Sequence, residues 1–317
     1  MSNAFSTSGS KSSLVIATRG SLLALWQAEW VQQRILDEYP ETSVELLILK
    51  TTGDRIQDRP LSEVGGKGLF IKELESALLD GRADMAVHSM KDVTSEFPEG
   101  LEISVITERE EAGDAWICQK YGTLNNFPNG AVVGTSSLRR ASQLNHHRPD
   151  LKIKSLRGNV QTRLRKLDEG EVDAAILAVA GLKRLKLEAR ITEILPLKLM
   201  LPAIGQGAIG IETRIGDQAT LSRIEHLNHP LTWDCLQAER TLLAVLEGNC
   251  QLPLAGYCIL DGEELFLRAA ICDSGIGLML AYEARASRKN ANKLGQDVAE
   301  WLLDNGAEDL LRKLKNI

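Results

Sequence analysis

Apolar and polar positions in the first half of the chain run through one order of elements twice. "LVIATRGSLLALWQAEW" (14–30) opens as an apolar run, breaks at a small-residue turn, and resumes as an amphipathic segment. "AVVGTSSLRRASQL" (131–144) has the same grammar. Each leads to a proline-marked turn, Tyr39-Pro40 and Arg148-Pro149, and then to a second strand, "SVELLILKTTGD" and "LKIKSLRGN". Helical stretches follow, "FIKELESALLDG" and "VQTRLRKLDEG", each closed by a glycine, Gly81 and Gly170. Both then enter Gly-x-x-Asp-x-Ala, as "GRADMAV" and "GEVDAAI". Matching punctuation in matching order predicts two similar α/β lobes, the first with an insertion around "LSEVGGKGLF". Alternating strands and helices predict a mainly parallel sheet in each.

The pattern changes near Leu227. "WDCLQAERTLLAVLEG" reads as a helix with apolar positions at Leu236, Leu242, Leu243 and Leu246. Short strands follow around "LAGYCIL", "ELFLRAAIC" and "LMLAYEAR", and "NKLGQDVAEWLLDNGAEDLLRKL" reads as helix. A small α+β domain with an antiparallel sheet is the expectation.

Composition narrows the function classes. The 317 residues suffice for two or three domains. Aromatics are only 4%, so the cores must be aliphatic. The formal net charge of -6 speaks against a general nucleic-acid binder, and any anion site must be a local cluster. No apolar run approaches the ~20 residues that span a bilayer. The opening "MSNAFSTSGSKSS" lacks the apolar centre of a secretory signal, so the expectation is a cytoplasmic protein without membrane partners. No Cys-x-x-Cys occurs among the five cysteines, and His226 and His229 complete no zinc set, so no metal is expected.

The basic residues change the picture. Arg19 occupies the first small-residue turn, beside Ser21, and Arg139 and Arg140 follow the equivalent turn after Ser137. Arg157 ends a strand in "SLRGN", and Arg163 lies one turn into the next helix. Lys67 sits in the glycine-rich insertion, Lys91 in "HSMKDV", and Arg184 closes "AVAGLKRL". Any one of these is most simply a solvated surface charge. As a set they gather at strand ends and helix starts, where α/β sheets place ligands. Helix N-termini favour anions, and guanidinium groups clamp carboxylates through paired N–H bonds. A polyanionic small molecule between two lobes accounts for the set.

Two glycine-rich stretches fail as nucleotide motifs. "GQGAIG" (205–210) fits Gly-x-Gly-x-x-Gly, but Pro202 precedes it and "IGIETRIGD" after it reads as strand and turn. It reads better as a crossing between lobes. "GGKG" around Lys67 lacks the first glycine and the following Ser or Thr of a phosphate loop. Asp92, a carboxylate beside Lys91, is either a salt-bridge partner or a group that stabilises a cationic intermediate. Cys250, between Gly248 and Pro253, is either inert packing or a loop nucleophile.

Together, "IATRGSLLALWQA", "GGKGLFIKELE", "AVHSMKDV", "VGTSSLRRASQL", "SLRGNVQTRL", "AILAVAGLKRL", "LPAIGQGAIGIE" and "LEGNCQLP" resemble the porphobilinogen deaminase family, over nearly the whole chain from Leu14. The resemblance implies two periplasmic-binding-protein-like lobes and a small C-terminal domain. The boundaries are 12–108 with 202–226 for the first lobe, 109–201 for the second, and 227–317 for the third domain. It implies a monomeric transferase that joins four porphobilinogen units head to tail with loss of ammonia. Linear hydroxymethylbilane is then hydrolysed off. Each pyrrole carries an acetate and a propionate, which supplies the polyanion. The family's dipyrromethane cofactor is held by a thioether to a cysteine that matches Cys250. Loss of ammonia from porphobilinogen gives an electrophilic azafulvene that a thiolate can capture. The resemblance makes Asp92 the catalytic aspartate. It assigns Lys91, Ser137, Arg139, Arg140, Gly158, Arg163 and Arg184 to the cofactor, and Arg19, Ser21, Lys67 and Arg157 to the substrate. Phe70 and Gln27 match positions near the site. Two departures stand out: Asn249 where a second glycine is usual, and Thr94 where proline is common. Two other classes compete with this reading: a non-catalytic anion binder on the same twin-lobe fold, which leaves Asp92 and Cys250 unexplained, and a nucleotide-dependent enzyme.

Overall fold

A computed structural model describes residues 13–55, 68–246, 253–272 and 279–310. Lys67, Gly248, Asn249 and Cys250 lie outside the described residues. In chain order, the first lobe comprises β1 (Ser13–Arg19), α1 (Leu22–Glu38), β2 (Ser43–Leu49), α2 (Thr52–Arg55), α3 (Lys72–Leu79), β3 (Met85–Ser89) and β4 (Leu101–Ile106). The second comprises β5 (Asp114–Ile117), β6 (Val132–Gly134), α4 (Leu138–His147), β7 (Lys152–Lys154), α5 (Val160–Asp168), β8 (Ala174–Ala178), α6 (Val179–Arg184) and β9 (Glu193–Ile194). The chain then returns as β10 (Ile209–Arg214), followed by α7 (Gln218–Ile224) and α8 (Pro230–Val245). A sheet of β11 (Leu254–Asp261), β12 (Glu264–Cys272) and β13 (Met279–Ser287) and the helix α9 (Ala291–Leu302) follow.

Two five-stranded sheets carry the lobes, in the orders β2-β1-β3-β10-β4 and β7-β6-β8-β5-β9. In each, four strands run in one direction and the fourth position is filled by an antiparallel strand from the other side of the crossing, β10 or β5. The expected mainly parallel twin lobes are therefore present, each as a mixed sheet. The chain crosses between them twice, after β4 and before β10. The crossings are tied together by Thr107 N–H to Ile209 O (3.0 Å) and Glu110 N–H to Gly207 O (3.2 Å).

The internal repeat has a bonding basis. Ser21 and Ser137 cap α1 and α4, each accepting from the N–H three residues on, Ala24 and Arg140. Gly81 and Gly170 end α3 and α5 at φ +70° and +77°, a conformation that costs glycine least. The aspartates three residues later reach back to the strand that opens each repeat, β1 and β6. Asp84 Oδ2 accepts from Val15 N–H (2.8 Å) and Asp173 Oδ2 from Val132 N–H (2.9 Å). The Gly-x-x-Asp punctuation thus locks helix to sheet in both lobes.

The cores are aliphatic, as composition requires. α1 buries Ala28, Val31 and Ile35 against Leu14, Ile16, Met85 and Ile211. In the second lobe Trp116 is fully buried among Val133, Leu144 and Ile176. In the third domain α8 and α9 cover one face of the antiparallel sheet, with Leu242, Val298 and Leu302 packed on Leu265 and Leu267. The C-terminal stretch is not one straight helix. Gly306 at φ +109° breaks it after Leu302, and it resumes briefly before residue 310.

Candidate active site

The glycine-rich crossing positions the chemistry. Gly205 and Gly207 take φ +71° and +92°. A Cβ on Gly205 would stand 2.8 Å from the Met90 carbonyl carbon, and one on Gly207 2.3 Å from Glu110 O. Only glycine lets the crossing lie this close to the 3₁₀ turn Met90–Asp92 that follows β3. Met90 N–H donates to Ala208 O (3.0 Å), so Lys91 and Asp92 are presented where the lobes meet. "GQGAIG" is a packing device between lobes, and a strand, not a helix, follows it.

Two adjoining cavities open there, sharing Leu23 and Ser89. The larger, about 500 Å³ including open space, is lined by Lys91, Arg140, Arg163 and Arg184 together with the start of α6. The other is lined by Arg19, Ser21, Gln27, Phe70 and Asp92. Most of the basic residues singled out in the sequence therefore converge. Gln27 lies behind the shared edge, its Nε2 donating to Ser89 Oγ (2.8 Å).

Arg140 is anchored from behind by a residue that sequence reasoning missed. Asp114, fully buried at the start of β5, accepts from Arg140 Nη2 (2.7 Å) and Nε (3.1 Å), from Arg139 Nη2 (2.7 Å), and from Gln206 Nε2 (2.9 Å). Burial would raise its pKa, but the two guanidinium groups and these bonds hold the carboxyl well below the usual range. Arg139 also donates to Leu201 O (2.5 Å) and does not line either cavity. One carboxylate thus serves two buried cations. The legible signal was a lone acid opening an otherwise apolar strand, "DAWI".

Arg163 and Arg184 are held by carbonyls rather than by acids. Arg163 Nε donates to Gly158 O (2.8 Å), and Arg184 Nη2 to Gly207 O (2.6 Å). Arg184 also stands over the Trp26 ring at 5.7 Å. Burial lowers both to about 10, Arg140 adding to the effect at Arg163 and Glu110 opposing it at Arg184, so both stay charged at neutral pH. Burial and the nearby Arg140 bring Lys91 down to about 8, against the upward pull of Asp92 and Asp114. Arg157 is half-buried on the loop before α5, near enough to Arg163 to lower it further, and lines neither cavity. Ser137 is occupied as the cap of α4.

Asp92 makes no hydrogen bond or ion pair with any described residue, although it lies close enough to Lys91 and Arg163 to act on both. The salt-bridge reading of Asp92 therefore finds no partner among the described residues. The loop after it is pinned without proline: Thr94 Oγ1 donates to Glu96 O (2.7 Å), and Arg240 Nη2 to Thr94 O (2.9 Å). Cys118, Cys235, Cys258 and Cys272 are buried and unpaired. Among the described residues no helix is long and apolar enough to cross a membrane.

Comparison with known proteins gives two family matches. The model described as "Porphobilinogen deaminase, dipyromethane cofactor binding domain" matches residues 14–222, and "Porphobilinogen deaminase, C-terminal domain" matches 233–304. Among solved structures, the periplasmic VFT2 domain of Bordetella pertussis BvgS is 15% identical, with a TM-score of 0.39, over 68% of this chain and 93% of that one. The alkanesulfonate-binding protein SsuA from Xanthomonas axonopodis pv. citri, bound to MOPS, is 13% identical, with a TM-score of 0.40, over 74% and 75%.

Proposed function

The chain belongs to the porphobilinogen deaminase family, transferases of tetrapyrrole synthesis that carry a dipyrromethane cofactor, and from that premise we propose which residues perform the reaction. The activity joins four porphobilinogen units head to tail with loss of ammonia and releases linear hydroxymethylbilane by hydrolysis.

The donor set suits the cofactor, whose two pyrroles each bear an acetate and a propionate. Lys91, Arg163, Arg184 and Arg140 meet in one cavity, and the acids near them, Asp92 and Asp114, leave positive charge in excess. When attached, the dipyrromethane supplies the pyrrole carbon to which substrate is joined. Lys91, Arg140, Arg163 and Arg184 hold its carboxylates, while Arg139 holds Asp114 and the Gly158 carbonyl aims Arg163. Ser137 fixes the start of α4, and with it Arg139 and Arg140. Arg19 and Ser21 receive the incoming substrate, with Lys67 and Arg157 as further anion contacts. Cys250 is the attachment point. We carry over from the resemblance a cytoplasmic monomer with the three domain boundaries given above. Porphobilinogen is its small-molecule partner, and the acidic net charge disfavours nucleic acid.

The observation that carries the catalytic role is the carboxylate of Asp92, unpartnered among the described residues, within this basic set. A protein that only bound carboxylates would gain nothing from it. A catalyst gains, because loss of ammonia and ring coupling place positive charge on pyrrole nitrogens. A fixed opposite charge favours that transition state over the ground state. Asp92→Asn keeps the shape and removes the charge. In single-turnover assays it should lower the rate by roughly a hundredfold or more, the usual cost of one preorganised electrostatic group. Cofactor content is checked first by intact mass, whose excess over the sequence mass should vanish in Cys250→Ala. Loaded Asp92→Asn enzyme that extends the chain at the wild-type rate would make Asp92 a structural residue.

A further inference from the structure

Arg19 does not stand free in its cavity; it is held on two sides. Along one edge the Asp54 carboxylate takes both Nε (3.2 Å to Oδ2) and Nη2. Over one face lies the Phe70 ring, with the guanidinium carbon 4.3 Å from its centroid. These contacts come from separate pieces of chain, α2 and the turn before α3, which are themselves joined. Gly53 N–H donates to Leu69 O (2.8 Å), and a Cβ on Gly53 would fall 2.2 Å from the Phe70 ring. Asp54 is oriented in turn by Thr51, whose Oγ1 donates to Oδ2 at 2.7 Å and whose N–H lies 3.3 Å from the same oxygen. Burial would raise its pKa, but the bonds from Arg19 and Thr51 lower it overall.

A guanidinium has two edges that accept a carboxylate in paired fashion, the Nε/Nη2 edge and the Nη1/Nη2 end. Asp54 occupies the first. Among the described residues nothing accepts from Nη1, so the end-on pair remains for a ligand in the cavity that Arg19 lines with Ser21 and Asp92. An arginine otherwise loses much rotamer freedom when it binds, and that cost is met here before the ligand arrives.

We propose that Asp54 is a positioning residue for the incoming porphobilinogen: by holding the Nε/Nη2 edge of Arg19 it aims the end-on pair at a substrate carboxylate. This rests on the reading that Arg19 binds substrate. Asp54 lines neither cavity and acts through Arg19, so its loss should be felt in substrate capture rather than in chemistry.

The test uses full-length enzyme with its cofactor loaded, verified by intact mass, and steady-state kinetics with porphobilinogen. Asp54→Asn should raise KM about tenfold while kcat stays within about twofold, and Asp54→Glu, which keeps the charge, should recover part of the loss. In an Arg19→Leu background, Asp54→Asn should produce no further change in KM. Thermal unfolding and circular dichroism confirm that each variant is folded; a variant that does not fold is replaced in the comparison by Asp54→Glu, whose KM must then lie above wild type. An Asp54→Asn KM equal to or below wild type, with Arg19→Leu still impaired, would overturn the positioning role and leave substrate binding by Arg19 intact. An Arg19→Leu enzyme with unchanged KM would remove the parent reading and this inference with it.

Discussion

Replacing Asp114 by asparagine tests the charge balance at the centre of the site. The carboxylate is fully buried and accepts from Arg139, Arg140 and Gln206 at 2.7–3.1 Å. Arg139 and Arg140 are only 4% and 5% exposed. The substitution keeps the volume and one acceptor oxygen but leaves two buried guanidinium groups without a counter-charge. Removing one partner of a buried pair costs roughly 3–5 kcal/mol. Against a total stability of about 5–15 kcal/mol this is a large fraction. Removing one arginine is a different perturbation, because Arg139→Met or Arg140→Met leaves one cation facing one carboxylate. The expected order of destabilisation is therefore Asp114→Asn above either methionine variant. Urea unfolding followed by tryptophan fluorescence reads this, since Trp116 is fully buried on the same strand. All proteins are compared in the same cofactor state, because a bound ligand stabilises by mass action. An Asn variant within about 1 kcal/mol of wild type, below the usual cost of losing a buried partner, would refute the reasoning. So would one less destabilised than both methionine variants.

Two further outcomes follow from the geometry. Lys91 in the folded protein is lowered to about 8 from an ordinary 10.5, so its ammonium is lost as pH rises through about 8. A bound carboxylate favours the charged form, so substrate or cofactor-fragment affinity should weaken above pH 8, and Lys91→Arg should move that alkaline limb upward; a limb unmoved by the substitution would assign it to another group. Gly207→Ala should destabilise far more than Gly81→Ala, because both glycines have positive φ but only the first meets backbone, 2.3 Å from Glu110 O. The second should cost about 1–2 kcal/mol, the price of a left-handed residue alone, and equal thermal midpoints for the two would show that the crossing relaxes freely.

Local order was determined by the sequence itself, because it is written in short-range terms. Serine caps, glycine helix ends and Gly-x-x-Asp links act over a few residues or within one lobe, and both copies of the repeat show them. The motifs likewise named Lys91, Arg140, Arg163 and Arg184 before their convergence was visible. What they could not separate was Arg139 from Arg140, adjacent in the chain and equal in type. The rotation of about 100° between neighbouring helix residues sends one guanidinium to the cavity wall and the other to the Leu201 carbonyl. The partners of Asp114 and Asp54 were not written there either, since each acts on an arginine 25 or more residues away. Such pairings exist only once two lobes and their crossings have closed, because a carboxylate's partner is chosen by distance in space and by the water excluded around it.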